Sequence, residues 1–216
     1  MYYSFKFLAC VAVSLICGCG GVDAGHGTDH RKEQEPESFT ATVVDASGDA
    51  DFAFIDVETV SVTFSDTHIE VSIQLLDIPD EFVYDASYIA ADFLEYDWTV
   101  AFDVDFDGSL ANDLLLSVSN FKFEGEQQRR AEMLAFTQKS IWRMNETGSG
   151  ASWIGNLPAE VNGNTLTITV AKDDYEELSA ISNTVPFLYE GFYATSGGVY
   201  KDLLPDDGGY LVPVYE

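Results

Sequence analysis

Apolar and polar residues alternate along much of this chain. The runs V-S-V-T-F (Val60–Phe64), I-E-V-S-I-Q-L (Ile69–Leu75) and L-T-I-T-V (Leu166–Val170) repeat with a period of two, which puts every second side chain on one face of a strand. The pattern predicts strands near Phe39–Val44, Val57–Ser65, His68–Leu75, Asp97–Asp103, Asp113–Phe121, Ser140–Asn145, Thr165–Val170, Val185–Thr195 and Gly209–Val214. Ser65-Asp66-Thr67 and Asn162-Gly163-Asn164 supply tight turns between apolar runs. A helix is expected only over Gly125–Thr137, with a short turn over Asp173–Ser179. Many short strands and little helix predict an all-β fold, an antiparallel β-sandwich of jelly-roll-like form with minor helix.

The amino-terminal residues break this pattern. Residues 1–18 carry one cation, Lys6, then an apolar run from Phe7 to Ile16, the plan of an export signal too short to span a bilayer. The run ends in Ile16-Cys17-Gly18-Cys19, which resembles the bacterial lipobox. That resemblance implies cleavage before Cys19 and lipid chains, palmitate among them, on this residue. Gly20 follows, so the Asp that retains some lipoproteins at the inner membrane is absent, and the outer membrane is the expected location. Residues 19–38 are polar, glycine-rich and charged, and read as a flexible tether. His26 and His30 lie there with no ordered scaffold to make them metal ligands. Residues 39–216 make one domain, long enough for a substantial core.

Charge narrows the partners. The chain has 37 acidic and 10 basic residues, a net charge of −27, which becomes −28 once residues 1–18 are removed with Lys6. Such a surface repels nucleic acid and anionic lipid head groups. It favours cations and solubility at high ionic strength. The three cysteines, Cys10, Cys17 and Cys19, all lie in or at the end of the signal. The mature domain therefore has no disulfide, thiolate metal site or cysteine nucleophile.

The candidate chemistry lies between two predicted core strands, in W-T-V-A-F-D-V-D-F-D-G-S-L-A-N-D (Trp98–Asp113). Asp103, Asp105 and Asp107 alternate and are followed by Gly108 and Ser109. Alternate carboxylates converge only if the chain curls, and hard oxygens in such a curl suit calcium. An EF-hand would place a bidentate Glu where Leu114 stands, and its flanks would be helices. The reading is instead a hairpin calcium loop with Asp103, Asp105, Asp107, the Ser109 carbonyl and Asp113 as ligands, the ion being structural. Asp45, Asp49 and Asp51 either complete that shell, hold a second ion or form a plain turn. Asp202, Asp206 and Asp207, beside Pro205 and Gly208, read as a turn before the last strand.

Enzyme signatures are absent: there is no G-x-S-x-G, H-E-x-x-H, phosphate loop or dinucleotide fingerprint. His68 is the single histidine of the domain and flanks a turn. Met133 and Met144 read as packing residues. Trp142 and Trp153 are candidate aromatic platforms for a ligand, with Tyr84, Tyr88 and Tyr96 behind them, and Trp98 is expected in the core. The aromatic-rich stretch Ile78–Leu94 is long for a connection, as functional loops often are.

Five landmarks in order carry a wider resemblance: D-A-S-G-D-A (Asp45–Ala50), D-V-E-T-V-S-V-T-F (Asp56–Phe64), W-T-V-A-F-D-V-D-F-D-G (Trp98–Gly108), N-G-N-T-L-T-I-T-V (Asn162–Val170) and D-L-L-P-D-D-G-G-Y (Asp202–Tyr210). Their order resembles the calcium-loop β-sandwich domains of exported bacterial proteins, related to DOMON and family-nine carbohydrate-binding modules. The resemblance implies a non-catalytic, calcium-stabilised binding module with glycan as the leading ligand. The alternative is a structural or assembly lipoprotein that contacts other envelope proteins.

Overall fold

The structure is a computed structural model that describes residues 38–79, 81–83, 94–121, 127–129, 138–195 and 198–214. The chain divides into two compact units, Met1–Glu35 and Pro36–Glu216, and everything below concerns the second. The export signal, Cys19 and all of the tether except Ser38 lie outside the described residues, as do Tyr84, Tyr88 and Met133.

The described fold is all-β. One sheet has five antiparallel strands: β1 (Phe39–Val44), β2 (Val57–Phe64), β3 (His68–Leu75), β11 (Thr165–Ala171) and β10 (Ala159–Asn162), in that spatial order. The other has six: β13 (Gly198–Leu204), β12 (Phe187–Thr195), β5 (Leu94–Phe102), β6 (Leu114–Phe121), β8 (Gln138–Met144) and β9 (Ala151–Asn156). A two-stranded pair, β4 (Glu81–Val83) with β7 (Gln127–Arg129), stands apart from both. The chain changes sheet from β3 to β5, from β9 to β10 and from β11 to β12.

The period-two pattern explains the sandwich. Val60, Val62 and Phe64 of β2 and Ile69, Val71, Ile73 and Leu75 of β3 turn inward and are buried. They meet Trp98, Val100 and Phe102 of β5 and Leu114, Leu116 and Val118 of β6 in one core. Phe64 and Phe102 touch edge-to-face across the layers, 6.4 Å between ring centres. Burying a side chain of this size contributes about 1.5–3 kcal/mol.

Three sequence expectations are corrected. The helix expected over Gly125–Thr137 is contradicted at Gln127–Arg129, which is strand β7; the remainder of that span lies outside the described residues. Its polar residues satisfy a helical pattern, but pairing with Glu81–Val83 gives three of them extended partners instead. Gly209–Val214 is not a strand: Leu211 makes a single bridge to Phe187, and the last strand is β13. Apolar alternation in Gly198–Leu204 is interrupted by Lys201 and Asp202, which hid that strand. Tyr96 is 2 % exposed and packs in the core, so it is not a platform.

Candidate functional site

The loop between β5 and β6 curls as its spacing predicts. Ligand oxygens of Asp103, Asp105 and Asp107 all lie within 4.8 Å of one another. Asp103 sits at the base, 3 % exposed, and its two oxygens accept the backbone N–H of Asp107 (3.1 Å) and Gly108 (3.0 Å). Those bonds pull the chain into the curl. Gly108 takes φ +74°, which a residue with a Cβ adopts only at a cost. Ser109 donates its N–H to Asp107 Oδ1 at 2.7 Å, which fixes the start of the return path. Asp105 accepts from the Asn112 side chain at 3.4 Å.

Two residues of the loop hold left-handed backbone without being glycine, Asn112 at φ 64° and Phe106 at φ 60°. Asparagine tolerates this region and phenylalanine does not, so Phe106 is strained by about 1–3 kcal/mol. Its ring is also exposed, at the mouth of a cleft of about 400 Å³ lined by Asp103, Asp107, Gly108, Pro186, Tyr210 and Val212.

Asp113 stands outside the tight group of three and lies behind it, at the entrance to β6, with no exposed surface. Its Oδ2 accepts the Tyr210 hydroxyl, and its Oδ1 is buried without a partner. Burial pushes its pKa up to about 7; the Tyr210 hydroxyl and the Val104 backbone N–H oppose the rise, and the charges of Asp103 and Asp105 add to it. Tyr210 is pushed up in turn, first by burial and then by its bond to Asp113. A buried acceptor left unmade costs about 1–3 kcal/mol. Among the described residues the only ion pair is Lys201–Glu190; Arg143 donates to the Asn112 carbonyl at 3.0 Å, beside the loop, without pairing to any of these carboxylates. The three converging carboxylates could hold a metal ion, and carboxylate oxygens are donors of the kind calcium takes, but the structure does not bring Asp113, the fifth expected ligand, into that group.

A second acidic group is assembled from distant segments. Oxygens of Asp45, Asp49 and Asp206 come within 4.8 Å of one another, as do those of Asp49, Asp56 and Asp202. Asp49 therefore neighbours these residues and not the Asp103 trio; it starts no strand, and Asp51 joins neither set. Asp202 is not in a turn either. It lies within β13, 6 % exposed, and accepts the Val57 N–H at 2.6 Å. Asp56, 1 % exposed, accepts the Gly48 N–H on both oxygens, at 3.1 and 2.9 Å. Asp45 is half-buried; its Oδ1 accepts the Ala46 N–H and its Oδ2 is enclosed without a partner. Burial raises the pKa of Asp202 to about 6, opposed by the Val57 N–H and assisted by Asp45, Asp49 and Asp56. Sequence reasoning missed this group because its members lie up to 161 residues apart, from Asp45 to Asp206. The signal available was the recurrence of Asp with Gly or Pro in two segments.

The two candidate platform tryptophans lie on the last two strands at one side of the six-stranded sheet. Trp142 of β8 and Trp153 of β9 are direct cross-strand partners. Trp153 is 53 % exposed and Trp142 is half-buried, while Ile141 beside it turns into the core. Trp98 is buried as expected, its indole N–H donating to the Phe54 carbonyl at 2.7 Å. His68 opens β3 with its Nδ1 2.8 Å from Ser65 Oγ, a turn contact rather than a catalytic array. Met144 ends β8, half-buried. No helix among the described residues is long and apolar enough to cross a membrane.

No protein-family model matches the chain, no curated protein matches it, and no solved structure matches it.

Proposed function

We propose that this chain is a lipid-anchored cell-envelope protein whose sandwich is a non-catalytic, calcium-stabilised binding module with glycan as its ligand class. The observation that carries the reading is the Asp103 loop. Three carboxylates converge on one point, and among the described residues none of them pairs with a basic side chain. Calcium supplies the missing positive charge and locks two core strands together. A structural role follows from the setting, because the loop joins β5 to β6 and no helix pair is present there to be opened.

Glycan is favoured by Trp153, exposed on the edge strand β9, with the half-buried Trp142 of β8 as its cross-strand partner. Sugars stack their apolar faces on such rings and turn their hydroxyls to neighbouring polar groups. The lipobox-like Ile16–Cys19 supports anchoring through Cys19, and the landmark order supports kinship with the DOMON and family-nine carbohydrate-binding modules. A charge of −27 argues against nucleic acid as a partner. The second reading, an assembly lipoprotein, draws on Phe106 and Val212, exposed apolar residues on the rim of the cleft.

The direct test is a glycan screen of the full chain in millimolar calcium, with Trp153→Ala as the control. Retained binding to a glycan that Trp153→Ala loses supports the reading. Binding that Trp153→Ala leaves unchanged removes the platform, and no glycan binding in calcium favours the assembly reading. Release of Cys19→Ser from membranes would support the anchor, and its retention would end that part of the proposal.

A further inference from the structure

We propose that Phe106 anchors a docking site for a basic, apolar segment of another protein, which seats a cationic side chain in the cleft beside the Asp103 loop. The inference deepens the assembly reading and rests on it for the partner being a protein; it needs neither calcium nor glycan.

Phe106 carries two costs at once. Its backbone is left-handed, φ 60°, and its ring is 58 % exposed. Glycine and asparagine tolerate that region and phenylalanine does not, and the same loop uses both, Gly108 at φ 74° and Asn112 at φ 64°. A loop that had only to turn, or to gather carboxylates, would be served better by either residue at position 106. An exposed ring on a strained backbone finds its compensation in a contact made outside the chain. Aromatic anchors of this kind carry much of the binding energy at protein interfaces.

The cleft defines the chemistry of that contact. It measures about 400 Å³, and Phe106, Pro186, Tyr210 and Val212 line it together with Asp103 and Asp107. Val212 is 74 % exposed, a second apolar side chain open to a partner. Both oxygens of the buried Asp103 are held by the loop backbone. Asp107 is exposed, with its Oδ1 engaged by the Ser109 N–H, so it is the carboxylate placed to meet an incoming charge. No basic side chain among the described residues lines the cleft. Carboxylate beside aromatic and aliphatic walls fits a cation on an apolar stem, as in arginine or lysine. The net charge of −27 draws a basic segment in and repels an acidic one. Charge complementarity therefore sets the sign of the partner, and Phe106 with Val212 requires its apolar part.

The test is calorimetric titration of the full chain, in chelator, with two synthetic peptides of equal length and charge. One alternates arginine with valine and the other arginine with serine. Chelator keeps any metal ion from competing for Asp107. The arginine–valine peptide should bind tighter by about tenfold or more. Phe106→Asn should remove that preference and melt no lower than wild type. Equal binding of the two peptides by wild type would overturn the proposal, because charge alone would then explain it. Failure of both peptides to bind would overturn it too, as would a lower Tm in Phe106→Asn, which would show that the fold itself holds the ring. A preference that survives Phe106→Asn overturns the cleft and leaves the assembly reading standing, with the partner elsewhere on the chain. That reading falls on its own test, the glycan screen, which involves no residue of the cleft.

Discussion

The protein holds two acidic groups built in opposite ways. The Asp103–Asp107 curl is local: five consecutive residues bring three carboxylates together, and their own backbone N–H groups shape the turn. The Asp45–Asp206 group is assembled by the fold from the segment before β2 and from β13 with the turn after it. In the assembled group the two most buried carboxylates are spent on backbone, Asp56 on Gly48 and Asp202 on Val57. In the local group the carboxylates are spent on their own loop: Asp103 accepts from Asp107 and Gly108, Asp107 from Ser109 and Asp105 from Asn112. Clustered acid alone does not separate a staple from an ion site. What each carboxylate holds does: Asp202 ties β13 to β2, whereas the bonds of the Asp103 loop close on the loop itself.

That contrast can be broken by experiment, and the largest effect tests the scaffold that the assembled group hangs on. Trp98→Ala removes a buried indole and its bond to Phe54 in the Asp45–Asp56 loop, so it should cost about 3–5 kcal/mol in a urea melt. A loss under 1 kcal/mol would mean that this loop is not held by the core.

Asp105→Ala comes next. Asp105 is exposed, so the metal-free chain should barely notice its removal. In calcium at about 100 times Kd, the variant should lack about 2.7 kcal/mol of ligand-linked stability. Equal stability loss with and without calcium would make the loop a plain turn. A calcium equivalent that survives Asp105→Ala in a calcium titration would place an ion in the assembled group as well.

Asp202→Ala leaves the buried Val57 N–H without an acceptor and should cost about 1–3 kcal/mol, the same with calcium as with chelator. A cost that appears only in calcium would turn this staple into an ion ligand.

The last test is of a sign, in pH. Asp113, Asp97 and Asp202 have pKa values raised to about 7, 6 and 6, each mainly by burial. A raised folded pKa means that the folded chain binds more protons than the unfolded one between about pH 4 and 7. The metal-free protein should therefore lose stability as pH rises through that window and level off above about 7. Calcium requires charged carboxylates, so it should flatten or reverse the slope. Melts at pH 5 and 7.5, with and without chelator, check both signs.

Much of this was legible in the sequence because it is local. Period-two runs placed β1 and β3 to the residue, and the D-x-D-x-D-G spacing located the curl. Strands β9 and β10 escaped notice because A-S-W-I-G-N and A-E-V-N are short and on sheet edges, with weak alternation. β13 escaped because a buried Asp stands where the core face calls for an apolar residue. That same Asp202 explains why the second acidic group was invisible: its meaning depends on Val57, 145 positions away in the chain. The Tyr210–Asp113 contact, 97 positions apart, is of the same kind.

Everything proposed for the cation site depends on calcium filling the Asp103 loop. The most direct test is a thermal melt of the full chain in millimolar calcium and again in excess chelator. Tm should fall clearly on chelation, recover with added calcium, and show no such fall in Asp105→Ala. An unchanged Tm would contradict the calcium reading, leaving an acidic turn in a sandwich that stands on its core alone.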